Sequence, residues 1–164
     1  MKLVTFLFQN KERLGLFSEN KIIDLNANDN RIPDNMQDFL SGGDLYHEFA
    51  HNILNNSPNT IELNQVKLLS PVPNPPSVRD GYAFRQHVST ARKNRGLEMI
   101  PEFDEIPIFY FTNHHAVFGE GDFQVMKQHT DKLDFELECA AVIGKKGRNI
   151  SVKDADDYIS GFMI

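Results

Sequence analysis

Leu133-Asp134-Phe135-Glu136-Leu137-Glu138-Cys139-Ala140-Ala141-Val142-Ile143-Gly144 alternates acidic and apolar residues, then becomes an apolar run that a glycine ends. Read as a strand, its two-residue period puts Asp134, Glu136 and Glu138 on one face and Phe135, Leu137 and Cys139 on the other. Carboxylates two apart on a strand face are neighbours, and their repulsion costs stability and favours protonation. Two arrangements relieve it. Water can screen each carboxylate on a solvated face, or a hard divalent cation such as Mg²⁺ or Ca²⁺, which selects oxygen ligands, can gather them. The segment alone leaves both open.

Upstream, Ser70-Pro71-Val72-Pro73-Asn74-Pro75-Pro76-Ser77 carries four prolines in six residues. Neither a helix interior nor a central strand accommodates that density. It reads as a rigid linker or an extended edge segment, and a new folding unit is expected to start near residue 70. The expected division is a small β-rich domain over 1–69 and a second domain over 70–164.

The first part reads as a β-meander. Residues 2–8, 12–17 and 21–25 are apolar or β-prone runs separated by Gln9-Asn10-Lys11 and Ser18-Glu19-Asn20. A helix is expected from Asp34 as cap to Gly42-Gly43. A second, capped by Asp44, carries Leu45, Phe49 and Ile53 at four-residue spacing. His47 and His51 are also four apart, but no carboxylate motif accompanies them, so they read as surface helix residues.

Past the proline segment, Arg79-Asp80-Gly81-Tyr82-Ala83-Phe84-Arg85-Gln86-His87 predicts a helix over 82–94 with Asp80 as its cap and His87 about two turns further on. One histidine on a helix is ordinarily a packing or surface residue. Asp80 and Tyr82 on the same short segment change its meaning, because a metal ligand, a hydroxyl donor and a base can then serve one pocket. The aromatic-rich Phe109-Tyr110-Phe111-Thr112-Asn113-His114-His115 reads as a buried strand leading to a turn. On a strand His114 and His115 diverge, so they are not expected to share a metal.

Composition narrows the classes. The 164 residues include 17 Lys+Arg and 23 Asp+Glu, a net charge of −6, with no basic run to offset it, so nucleic acid is disfavoured as a partner. Cys139 is the single cysteine, which excludes an intramolecular disulfide; CxxC and Cys/His zinc spacings are absent. The first apolar run, residues 3–8, is too short for a secretory h-region or a membrane span. A cytoplasmic protein without membrane partners is the expectation.

In their order, these segments resemble the fumarylacetoacetate hydrolase family over roughly residues 65–164. The resemblance rests on Asp80-x-Tyr82-x4-His87, Pro107-Ile108-Phe109-Tyr110, Asp134-Phe135-Glu136-Leu137-Glu138, Gly144-Lys145 and the run over 155–164. Glu-x-Glu alone is weakly specific; preceded at this distance by Asp-x-Tyr-x4-His it is much more so. The resemblance implies an α+β, mainly β fold: a small N-terminal β-rich domain, then the first half of a fumarylacetoacetase-type β-roll.

It further implies that Asp80, Glu136 and Glu138 are carboxylate ligands of Mg²⁺ or Ca²⁺, with Mn²⁺ as a further candidate. His87 would be the general base that activates water, and Tyr82 would contact substrate. Tyr110 and Arg95 match further substrate contacts less closely and stay outside the expected site. The implied reaction is hydrolysis of a carbon–carbon bond in a 1,3-diketo acid, fumarylacetoacetate or an acylpyruvate, in aromatic amino-acid breakdown. Decarboxylation or isomerisation of a 2-oxo acid and a non-catalytic binding module are the alternatives. The family's further aspartate ligand and the acidic partner of its base would follow residue 164. The chain is therefore expected to be the N-terminal part of a longer enzyme, inactive alone and a homodimer when full length.

Overall fold

The computed structural model describes residues 1–56 and 58–164. It divides into two compact units: Met1–Pro73 with Phe118–Ile164, and Asn74–Val117. Helices and strands are mixed, and among the described residues every strand pair is antiparallel.

The first unit is built on a meander of β1 (Leu3–Phe8), β2 (Lys11–Ser18) and β3 (Lys21–Asp24). Two-residue turns join the strands, Gln9-Asn10 between Phe8↔Lys11 and Glu19-Asn20 between Ser18↔Lys21. All four turn residues have φ between 49° and 63°. Positive φ at both positions gives the turn twist that matches the right-handed twist of paired strands, and asparagine tolerates it well. β4 (Ile61–Glu62) and β5 (Lys67–Leu68) extend the sheet to the order β4-β3-β2-β1-β5.

Alternation then decides the core. Leu14, Leu16 and Ile23 share one face and bury against Leu25, Ile32, Met36, Phe39 and Ala50. Leu25 opens the single-turn α1 (Leu25–Asn28); Met36 and Phe39 lie on α2 (Met36–Ser41) and Ala50 on α3 (Asp44–Asn55). Phe6 and Ile22, on the opposite face, are also buried, which explains why β1 reads as a nearly continuous apolar run.

The helix starts differ from expectation by one residue. Asn35, not Asp34, caps α2, accepting from Asp38 N at 2.9 Å while its amide donates to the Asp38 carboxylate. Gly43, at φ 57°, holds the cap position of α3, a conformation that side-chain-bearing residues rarely adopt, so Asp44 is the first helical residue. The buried stripe of α3 is Tyr46, Phe49, Ala50 and Ile53, the spacing of one helix face. Leu45 lies off that stripe and is exposed.

The first unit also contains β8 (Ala140–Ile143) and β9 (Ile159–Met163), paired from Ala140↔Met163 to Ile143↔Ile159 with an irregularity between Val142 and Ile143. The strand expected around 134–143 is thus shorter. Among the described residues, 133–139 lie outside any ladder.

The second unit contains β6 (Arg79–Gly81), α4 (Arg85–Asn94), α5 (Glu102–Glu105) and β7 (Phe109–Phe111). β6 and β7 pair, and Val88 of α4 is fully buried. The expected helix over 82–94 starts at Arg85, because the preceding backbone is engaged elsewhere: Tyr82 N donates to Ile108 O at 2.9 Å and Ala83 N to Gly81 O at 2.8 Å. No helix among the described residues is long and apolar enough to cross a membrane.

Candidate active site

Asp80 is a strand residue rather than a helix cap. It sits at the centre of β6, directly opposite Tyr110 of β7, and the Tyr110 hydroxyl donates to Asp80 Oδ2 at 2.6 Å. Alternation sends Arg79, Phe109 and Phe111 to the other face. There the Arg79 guanidinium lies over both rings, 4.7 Å from Phe111 and 5.6 Å from Phe109. A cation over two aromatic faces ties the short strands together on that side. The three rings of β7 are exposed rather than buried as expected.

Tyr82 follows β6 and sets its ring at 81° to that of Phe103, centroids 6.4 Å apart. Arg85 stacks over the same Phe103 at 5.5 Å and ion-pairs with Asp104, so α5 is held to the start of α4. His87 lies on the third residue of α4, exposed, and lines an open groove of about 660 Å³ with Phe84, Thr90 and Asn94. Asp80, Tyr82 and His87 therefore belong to one unit, within eight residues. Arg95 caps the C-terminus of α4, its N–H donating to Arg92 O at 2.9 Å.

Glu136 and Glu138 belong to the other unit, in the segment outside any ladder, and both are exposed. Phe135 and Leu137, which alternate with them, are 84% and 80% exposed. Among the described residues no group of three His, Cys, Asp or Glu side chains is placed to hold a metal ion. The donor set itself fits a hard divalent cation: three carboxylates supply only oxygen.

The His114–His115 pair and His47 differ from expectation, while His51 is exposed as expected. His114 and His115 lie on a turn, where His115 N donates to Asn113 Oδ1, and their rings lie 4.1 Å apart rather than diverging. His47 is half-buried, its ring edge-on to Phe39 at 5.0 Å, and this burial lowers its pKa.

Tyr110, which the sequence analysis kept outside the expected site, is the residue that pairs with Asp80. Its link to Asp80 depends on the register between strands about thirty residues apart, which no local pattern encodes.

The family model described as "Fumarylacetoacetate (FAA) hydrolase C-terminal" matches residues 77–164. The Fumarylacetoacetate hydrolase domain-containing protein 2 homolog of Dictyostelium discoideum is 31% identical over the whole chain and 53% of its own length. Oxaloacetate tautomerase fahd2, mitochondrial, of Xenopus laevis is 30% identical over the whole chain and 50% of its length. Oxaloacetate tautomerase YisK of Bacillus subtilis is 31% identical over the whole chain and 58% of its length. The chain thus spans about half the length of the curated relatives it matches.

Among solved structures, maleylpyruvate hydrolase from Sphingobium sp. SYK-6, in complex with manganese (II) ion and pyruvate, is similar with a TM-score of 0.69. It is 21% identical and covers 99% of this chain and 56% of its own. Fumarylacetoacetate hydrolase from Exiguobacterium antarcticum gives 0.65 at 19% identity, over 99% and 53%. At these identities the likeness establishes the fold.

Proposed function

Because the chain belongs to the fumarylacetoacetate hydrolase family, we propose that it contributes to a metal-dependent enzyme of enolisable 2-oxo acids, one that hydrolyses a carbon–carbon bond in a 1,3-diketo acid. The observation that carries this reading is that Asp80, Tyr82, His87, Glu136 and Glu138 all fall within the matched residues 77–164. Their chemistry answers the barrier of the reaction, which is to let a carbon leave with its electron pair.

Asp80, Glu136 and Glu138 would hold a divalent cation. When bound, that cation supplies positive charge beside the substrate's oxygens and lowers the cost of enolate formation. The chain's own groups do the rest. His87 takes a proton from water. The hydroxide adds to the acyl carbonyl carbon, the bond to the adjacent carbon breaks, and its electron pair leaves as enolate. The proton held on His87 returns to that carbon. The Tyr82 hydroxyl contacts the substrate and orients it, its ring held by Phe103.

A second reading is tautomerisation of a 2-oxo acid, which the naming of two relatives at 30–31% identity as oxaloacetate tautomerases supports. In that case His87 takes a proton from carbon and returns it to oxygen without water adding. The deciding experiment supplies Mn²⁺ to the full-length protein and compares an acylpyruvate with oxaloacetate. Release of pyruvate from the acylpyruvate supports hydrolysis. Enol–keto interconversion of oxaloacetate with no pyruvate from the acylpyruvate replaces it with tautomerisation, and loss of neither substrate overturns the enzyme reading.

A further inference from the structure

We propose that Tyr110 is a positioning residue for the Asp80 carboxylate: its hydroxyl occupies Oδ2 and leaves Oδ1 as the oxygen presented for metal binding. The inference rests on the reading of Asp80 as a ligand, and it assigns Tyr110 a role other than substrate contact.

The geometry is set by backbone pairing rather than by a flexible encounter. Asp80 and Tyr110 are direct partners in the β6/β7 register, on the same face. Residues so placed have Cβ atoms about 5 Å apart, within reach of a tyrosine leaning over a carboxylate. The ladder is extended at both ends, by Thr112 N to Val78 O at 3.2 Å and by Tyr82 N to Ile108 O at 2.9 Å. On the reverse face Arg79 spans Phe109 and Phe111. Both backbones that carry the pair are therefore held.

The 2.6 Å separation lies in the range of charge-assisted O–H···O⁻ bonds. It matters because an aspartate's terminal torsion has a broad, twofold preference. A half-exposed carboxylate without such a bond rotates and exchanges its two oxygens. With one oxygen engaged, the rotation stops and a single lone-pair direction is offered. Partners of this kind, one bond behind a ligand, typically change metal affinity by about 10–100-fold.

The test measures Mn²⁺ affinity of the whole protein by calorimetry and by the paramagnetic signal of free Mn²⁺, alongside the thermal midpoint without metal. Tyr110→Phe, Asp80→Asn, the double variant and Phe111→Leu are compared with wild type. The expected result is a Kd raised about 10–100-fold in Tyr110→Phe, a larger loss in Asp80→Asn, and no further loss in the double variant. Phe111→Leu weakens the Arg79 stack without touching the hydroxyl. It is expected to lower the thermal midpoint and leave the Kd unchanged.

Wild-type affinity in Tyr110→Phe together with loss in Asp80→Asn overturns the positioning role and leaves Asp80 as a ligand. Wild-type affinity in Asp80→Asn, or a wild-type protein that binds no Mn²⁺, overturns the ligand reading and this inference with it. An equal rise in Kd in Phe111→Leu reduces Tyr110 to a structural residue and overturns the proposal.

Discussion

Arg13 grips both oxygens of Asp24: its Nη2 donates to Oδ1 at 3.0 Å and its Nε to Oδ2, on the face of β2 and β3 that also carries Phe6 and Ile22. Asp24 Oδ1 also accepts from Ala27 N at 3.0 Å, which makes the same carboxylate the cap of α1. The Asp24 side chain is 7% exposed and that of Arg13 20%. One buried anion thus joins two strands and starts a helix, and the bond to it raises the Arg13 pKa.

Asp24→Ala is expected to cost about 2–4 kcal/mol, because it leaves a half-buried guanidinium unpaired and removes a cap. Asp24→Asn keeps the cap acceptor and should cost less. Urea unfolding of both variants checks the order; equal losses would show that the cap adds nothing beyond the charge pair.

His47 makes stability depend on pH. Burial lowers its pKa in the folded state, with His51 acting in the same direction and Asp44 against it. The unfolded chain then binds the proton more readily. The contribution is fully present above about pH 6.5, the unfolded value, and is lost as pH falls through the folded one. The urea midpoint of wild type should fall across that window more steeply than that of His47→Gln, and parallel curves would remove His47 as the cause.

Thr5 Oγ1 donates to Pro71 O at 2.7 Å, and Thr5 is fully buried. This bond fastens the start of the proline segment to β1. Thr5→Val preserves shape but strands the carbonyl, so a loss of about 1–2 kcal/mol is expected, read as a lower thermal midpoint.

Gly15 has no room for a methyl group. A Cβ there would stand 2.8 Å from Ile23 O and 2.9 Å from the Phe6 ring. The backbone oxygen cannot give way cheaply, so Gly15→Ala is expected to destabilise by about 1–3 kcal/mol. An unchanged denaturation midpoint would show that β2 and β3 can separate there at little cost.

Glu136 and Glu138 are exposed and outside any ladder, so Glu136→Gln/Glu138→Gln should leave the thermal midpoint within about a degree of wild type, as surface changes are nearly neutral. The same double variant should abolish Mn²⁺ binding. In the full-length protein, His87→Asn is expected to keep Mn²⁺ binding and lower turnover about 10²–10⁴-fold. Turnover at the wild-type rate would take His87 out of the mechanism.

The meander was legible because its signals are local: runs of strand length, polar two-residue turns and an apolar face at period two. The α2 and α3 helices were legible for the same reason, and their caps were missed by one residue because adjacent Asp34-Asn35 and Gly43-Asp44 both offer acceptable chemistry. The strand around 134–143 was overextended because alternation describes a strand's faces but not whether another strand lies beside it. Asp80 was misplaced because an aspartate before a helix reads as a cap until its backbone is seen paired with Phe109–Phe111.

The sequence by itself determined the meander, the change of texture at the four prolines, and a set of carboxylates, a tyrosine and a histidine whose order marks one family. Those are properties of residue type and spacing along the chain, and local sterics and hydrophobic period suffice to read them. The tertiary structure alone decided that Asp80 faces Tyr110. That pairing depends on register between segments distant in sequence. Register is chosen by the summed fit of whole strands, not by any residue alone.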